Sequence, residues 1–447
     1  KGDLVVDMAQ AKRGYANHIL YKGSNESAWA AMYAELLVNF PDMRGFKAEP
    51  IFKDKLFDGK LGEVTALRAT RTRDINYSAP YYVIANTSDS AVKAVNQAIR
   101  QGKKVYLTED GYIVDTSTFA NLLGDYAIYG DALYKVPEGP SLKALKVYAP
   151  PHQFYWAGVD SPTHTALALK NLGFDIVDTP EEADVIVLES NKFDKSILGR
   201  KPTIVVGGSA MQRLEKLGVL DGFDAERFSG GSDFEGLMKA IIDDKDPLTS
   251  GYKKNDLFYS NSGNWIAKAP ANFKTLATIA DSDYYIAGWW PGNEKLASKI
   301  VAISGNYKEH PLFVYAGNPT NRLHTIHFYR WVSNAVFGNQ LAELKDMPVT
   351  HKPSVEIVEI LNQKPKPKQA GKTADKPTAQ KAKEEQLESL AQKASEAQPT
   401  ATAQKATNTQ QAQLPQTGSK ENSALFTVAT ILLATSSGLF LLKKKEV

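Results

Sequence analysis

Between residues 145 and 217 the chain alternates short, unbroken apolar runs with segments of helical spacing. Residues 147–149 read as a strand, 163–172 carry apolar positions at helical intervals and stop at Gly173, and 174–177 read as the next strand. Two further runs, 184–188 and 203–206, are apolar and rich in β-branched residues, as strands buried on both faces of a parallel sheet are. Gly207 and Gly208 end the second run, and residues 210–217 follow as a helix. Residues 82–107 repeat this grammar: a strand at 82–85, a helix at 90–101 closed by Gly102, and a strand at 104–107. Thr87 or Ser88 is placed to cap that helix. The pattern predicts an α/β body built on a parallel sheet, with one unit at 1–139 and a second at 140–345, meeting near Gly139-Pro140.

Beyond residue 345 the pattern stops. Residues 346–413 read as a linker and stalk. From 364 to 413 the chain is mainly Lys, Ala, Gln, Thr, Pro and Glu, with too few large apolar side chains to offset the entropy of ordering. A disordered stalk is expected there. As a flexible coil of about 50 residues it spans ~40 Å.

Residues 414–447 contain three elements in order: Leu414-Pro415-Gln416-Thr417-Gly418, an apolar run over 424–442, and Lys443, Lys444 and Lys445. As a helix rising ~1.5 Å per residue the run crosses a hydrocarbon core of ~30 Å. The lysines then stay on the cytoplasmic side as a membrane stop. This arrangement resembles the LPXTG sorting signal of sortase substrates, and all five motif positions match. The resemblance implies cleavage between Thr417 and Gly418 and joining of the Thr417 carboxyl to an amino group of the peptidoglycan precursor. The implied partners are sortase, peptidoglycan and, transiently before sorting, the membrane; the implied location is the wall of a Gram-positive bacterium. A sorting substrate is first secreted, yet residues 1–7 lack the pattern of a signal peptide. The expectation is a removed signal or a fragment of a longer chain.

Charge narrows the partners further. Residues 364–413 hold nine Lys against five Asp or Glu, and 414–447 four Lys against two Glu, so these segments carry +4 and +2. Of the total of +3, that leaves about −3 on residues 1–363. Nucleic acid is excluded as a partner, because phosphate binding needs a concentrated basic face. The absence of cysteine removes disulfides, thiolate metal sites and a Cys nucleophile together.

A second resemblance rests on Gly2-Asp3-Leu4-Val5-Val6-Asp7-Met8-Ala9-Gln10, with Arg13-Gly14 and Ala16-Asn17 after it, and on Ile286-Ala287-Gly288-Trp289-Trp290-Pro291-Gly292. Val314-Tyr315-Ala316-Gly317-Asn318-Pro319 and the stretch from Phe328 to Ala335 complete it. These residues resemble the segment that follows the peptidase domain in large secreted zinc carboxypeptidases of the carboxypeptidase A type. The resemblance covers roughly residues 1–340 and implies a class I glutamine amidotransferase-like, flavodoxin-like domain. It also implies zinc, but in an upstream domain. None of the seven histidines is followed three residues later by Glu, so the His-x-x-Glu pair is not in this chain.

Several residues remain candidates for chemistry. Ser209 sits where a strand turns into a helix, a place that exposes a nucleophile and aims N–H groups at an oxyanion; Met211 breaks Gly-x-Ser-x-Gly, and a helix cap is the alternative. His324 and His327 are three apart and suit two metal ligands on a helix face, against ordinary half-buried histidines. Asp160 and His164 either pair across a helix start or serve capping. Trp156, Trp289 and Trp290 either stack on glycans or anchor the core.

No cofactor is expected in this chain. The preferred reading is a non-catalytic accessory region of a wall-anchored protein whose parent is a zinc metallocarboxypeptidase. The alternatives are a surface protein that recognises a glycan or host protein, and an independent Ser209 hydrolase.

Overall fold

Continuous apolar runs produce the parallel half of the molecule. In the structure, a computed structural model, the strands Lys146–Tyr148, Asp175–Val177, Val185–Leu188, Thr203–Val206 and His310–Tyr315 pair in parallel. Residues 4–28, 39–53, 56–57, 61–62, 72, 74–154, 159–228, 234–338 and 341–346 are described. The stalk, the sorting motif, the apolar run, Lys443 to Lys445 and Trp156 lie outside them. Across the sheet the strand order is Asp175–Val177, Lys146–Tyr148, Val185–Leu188, Thr203–Val206, His310–Tyr315. Val185–Leu188 and Thr203–Val206 are buried at every position. The chain leaves Lys146–Tyr148 toward one side and then crosses to the other for Val185–Leu188. Crevices at the carboxyl ends of strands form beside such a reversal.

The parallel arrangement covers only part of the twelve-stranded sheet formed by the described residues. Ile300–Tyr307 pairs antiparallel with His310–Tyr315, Lys274–Ile279 with Ile300–Tyr307, Glu235–Ile242 with Lys274–Ile279, and Asn255–Ser260 with Glu235–Ile242. The reason lies in the connections. Lys308 and Glu309 alone link Tyr307 to His310, whereas a parallel return needs a crossover of a dozen or more residues. The parallel-sheet expectation for the whole body is corrected here: the body is a mixed α/β structure.

Residues 81–133 depart in the same way. Tyr106–Thr108, Gly111–Asp115, Tyr81–Ile84 and Gly130–Leu133 form a four-stranded sheet in that order, with every pair antiparallel. Tyr81–Ile84 and Tyr106–Thr108 do run the same way across the helix Asp89–Arg100. The two-residue turn at Glu109 and Asp110 folds Gly111–Asp115 back between them. Ser88, not Thr87, caps that helix, its Oγ accepting from the Ala91 N–H at 3.3 Å.

A buried polar seam joins this sheet to the helix Tyr329–Phe337, all of whose residues are buried. Asn86 Nδ2 donates to Ser250 O at 3.1 Å and to Asn334 Oδ1 at 2.9 Å. Arg330 Nη1 donates to Asn86 O at 2.9 Å, and Asn334 Nδ2 to Leu248 O at 3.2 Å. Among the described residues no helix is long and apolar enough to cross a membrane.

Candidate functional site at the carboxyl ends of the parallel strands

Three parallel strands deliver polar residues to one edge: Glu189 follows Val185–Leu188, Gly207-Gly208-Ser209 follow Thr203–Val206, and Asn318 to Thr320 come soon after His310–Tyr315. The helix His164–Asn171 starts beside them, capped by Thr163, whose Oγ1 accepts from the Ala166 N–H at 3.1 Å. Glu189 is the centre of the cluster. Its Oε2 accepts from the Thr165 N–H at 2.9 Å and its Oε1 from Asn318 Nδ2 at 2.8 Å. A carboxylate at a helix N-terminus meets unpaired N–H groups and the positive end of the dipole. Thr165 and Thr320 hydroxyls bond at 2.8 Å, and Asn318 Oδ1 accepts from the Thr320 N–H at 3.0 Å. Glu189 therefore locks the 318–320 loop onto the helix start.

His164 lies 3.8 Å from Glu189 Oε1, and its Nδ1 accepts from the Arg322 N–H at 3.3 Å. Its neighbour is Glu189 rather than Asp160, which sits in the short strand Val159–Ser161. Arg322 and Leu323 both adopt positive φ, +48° and +59°, a costly conformation outside glycine that is held only by its surroundings.

Ser209 stands at the second position of the helix Gly208–Lys216, exposed, and makes no side-chain hydrogen bond among the described residues. Gly207, at φ +83°, occupies the cap position, and a Cβ on Gly208 would fall 1.9 Å from Asn264 Nδ2. The glycines thus serve a tight turn packed on Asn264. Among the described residues no histidine or carboxylate bonds to the Ser209 hydroxyl to raise its nucleophilicity.

His327 is fully engaged. Its Nε2 lies 2.8 Å from Asp256 Oδ1, and Arg330 Nη2 approaches Nδ1 at 3.1 Å. Guanidinium only donates, so Nδ1 is the acceptor and Nε2–H donates to Asp256. Burial, then the Arg330 charge, hold its pKa below the usual value against the pull of Asp256. His324 packs edge-on against Phe40 at 5.6 Å. Among the described residues no three His, Asp or Glu side chains gather as a metal would require. Zinc does not fit these residues.

A second buried network was not signalled by the sequence. Asn261 Nδ2 donates to Asn321 Oδ1 at 3.0 Å, Asn321 Nδ2 to Tyr259 Oη at 2.8 Å, and the Tyr259 hydroxyl to Glu235 Oε1. Burial pushes the Glu235 carboxyl up to about 7, against the lowering effect of Tyr259. Trp290 is 1% exposed and stacks on Phe234, as does the half-buried Trp289. Glu189 had one usable signal, its position directly after an apolar run of parallel-strand type. Glu235 had none, since its partner Tyr259 comes from 24 positions downstream in the chain and Asn321, which bonds to Tyr259, from 62 positions further on.

The sequence model of the LPXTG cell wall anchor motif matches residues 406–447. No curated protein matches the chain in sequence. Among solved structures, the chain is similar to a protein described as a GMP synthase component from Thermoplasma acidophilum, at 15% identity and a TM-score of 0.31 over 43% of this chain and 92% of that one. A cytoplasmic protein of Salmonella typhimurium aligns at 12% identity and 0.28, over 43% and 97%. A glutamine amidotransferase of Thermotoga maritima aligns at 14% identity and 0.24, over 38% and 74%. With its carboxyl-terminal anchor motif, the chain is a cell-wall-attached protein of the Gram-positive extracellular surface, processed by sortase and joined covalently to peptidoglycan.

Proposed function

We propose that the body is the non-catalytic accessory region of a sortase-anchored surface protein whose parent is a zinc metallocarboxypeptidase, with the zinc domain outside the present sequence. The observation that carries the non-catalytic part is Glu189: both of its oxygens are engaged in holding a loop to a helix start, and among the described residues no base bonds to the Ser209 hydroxyl at the same edge. The resemblance at residues 2–10 and 286–292 supports the peptidase parent. In this reading residues 140–345 contain the flavodoxin-like, amidotransferase-like unit, which the strand order 2-1-3-4-5 supports. Residues 1–139 form a unit beside it, 346–413 the linker and stalk, and 414–447 the signal whose apolar helix pauses in the membrane until Thr417 is joined to the wall.

The test is the intact mass and zinc content of the native protein released from purified walls. A species much heavier than residues 1–417 plus a wall fragment, with bound zinc, is the expected result. A mass matching that sum, without zinc, would replace the peptidase reading by that of a surface protein binding a glycan or a host protein.

A further inference from the structure

We propose that a cavity at the amino ends of Thr203–Val206 and His310–Tyr315 binds one uncharged, N-acetylated sugar ring. This is the edge of the sheet opposite Glu189 and Ser209, and the proposal does not rest on the peptidase reading. The cavity has a volume of about 250 Å³. Its floor is apolar: Ile204, Leu248 and Leu312 are 1, 5 and 2% exposed, and Phe313 is backed by Trp331 at 6.1 Å and 14° between ring planes. Its rim is polar, made of Asn272, Ser304 and Asn306.

The rim groups are available to a ligand. Asn272 Nδ2 donates to Asn306 O at 3.3 Å, leaving its Oδ1 open. Among the described residues, the Ser304 hydroxyl and the Asn306 amide make no hydrogen bond. Together they offer both donors and acceptors.

Three features fix the ligand class. Among the described residues no charged side chain lines the cavity, and a charged ligand would lose hydration there without a counter-charge. The volume falls below the roughly 300–1,000 Å³ of pockets that hold drug-sized ligands, so the cavity accommodates a single ring, and any continuing chain stays outside it. An apolar floor beside a hydroxyl and two amides suits a group with a methyl at one side and hydroxyls at the other, which is the outline of an N-acetylated hexosamine. The polymer to which the chain is joined presents that sugar at high local concentration. Of its two amino sugars, the one without a carboxylate, N-acetylglucosamine, matches an uncharged lining.

The experiment titrates wall-released protein with N-acetylglucosamine and follows saturation transfer to the ligand by NMR. Expected are saturable binding with a Kd on the order of 1 mM, strongest transfer at the acetyl methyl, and weaker binding of N-acetylmuramic acid and of glucose. Asn306→Ala, at an exposed position, and Ser304→Ala should each weaken binding roughly five- to tenfold with unchanged thermal unfolding. No saturable binding, equal binding of glucose, or affinity unaltered in both variants would overturn the proposal.

Discussion

Replacing Glu235 by Gln tests whether the fold holds this carboxyl neutral. Burial raises it from 4.5 to about 7, while the Tyr259 hydroxyl acts in the opposite direction. Unfolded, the group ionises near 4.5; between 4.5 and about 7 the folded chain therefore keeps a proton that the unfolded chain releases. The contribution of this group to stability is complete below pH 4.5 and is lost as the pH rises to about 7. At ~1.4 kcal/mol per pH unit, the loss at pH 8 is on the order of 3 kcal/mol. Gln keeps the volume and an acceptor for the Tyr259 hydroxyl and removes the charge. Glu235→Gln is expected to be more stable than the native chain by about 2–3 kcal/mol at pH 8 and equal to it within about 0.5 kcal/mol at pH 5. Urea denaturation midpoints of both proteins at the two pH values measure this. The same difference at pH 5 and pH 8 would refute the reasoning, since it would mean that ionisation of Glu235 is not what the fold opposes.

Other perturbations address the remaining polar groups. His327→Ala removes the link between Asp256 and Arg330 and should cost roughly 2–4 kcal/mol in urea denaturation at pH 7. The folded chain disfavours protonated His327, so the margin over the variant should shrink as the pH falls below 6.5, where the unfolded histidine takes up a proton; a margin that grows would mean that the fold favours the charged imidazolium, paired with Asp256, over the neutral ring. Thr163→Ala should cost about 1 kcal/mol through loss of the cap, read as a lower thermal midpoint. Ser209→Ala should change stability by less than about 0.5 kcal/mol and leave any hydrolysis of chromogenic esters untouched; lost hydrolysis would restore Ser209 as a nucleophile. Thr417→Ala should abolish covalent linkage, with the protein absent from the soluble products of wall digestion; persistence of wall-linked protein would exclude Thr417 as the joining residue.

Four of the five parallel strands, all but His310–Tyr315, were legible because burial on both faces demands uninterrupted apolar runs, as at Val185–Leu188 and Thr203–Val206. Gly173 and Ser88 marked helix ends through local backbone needs that sequence states directly. The antiparallel half was not legible, because its strands alternate or mix polar residues. Glu235–Ile242, for instance, exposes Lys239 and Ile241 between buried neighbours. Side-chain partners escaped for a different reason. For His164 the sequence offers only the nearby Asp160 as a pairing partner, with capping as the alternative, while its actual neighbour, Glu189, reaches it only once two parallel strands are side by side.

The distribution of engaged and free polar groups argues for a division of labour between the two edges of the sheet. At the carboxyl edge, where α/β folds ordinarily open a ligand crevice, Glu189, Asn318, Thr165 and Thr320 satisfy one another. That edge works as a joint: it fixes the 318–323 loop, and the same stretch supplies Asn321 to the Tyr259 and Glu235 network. A chain without cysteine has no disulfide to close such connections, and the buried seam through Asn86, Asn334 and Arg330 does the same for the first sheet. Buried polar networks of this kind favour a single arrangement, although the seam leaves the buried Asn86 Oδ1 without a partner among the described residues. At the amino edge, the Ser304 hydroxyl and the Asn306 side-chain amide stand at an apolar hollow and make no hydrogen bond among the described residues. Hydrogen-bonding capacity left unused by the fold is what a ligand can address, and the proposed sugar site at the amino edge rests on that capacity; at the carboxyl edge the exposed Ser209 hydroxyl is left open in the same way.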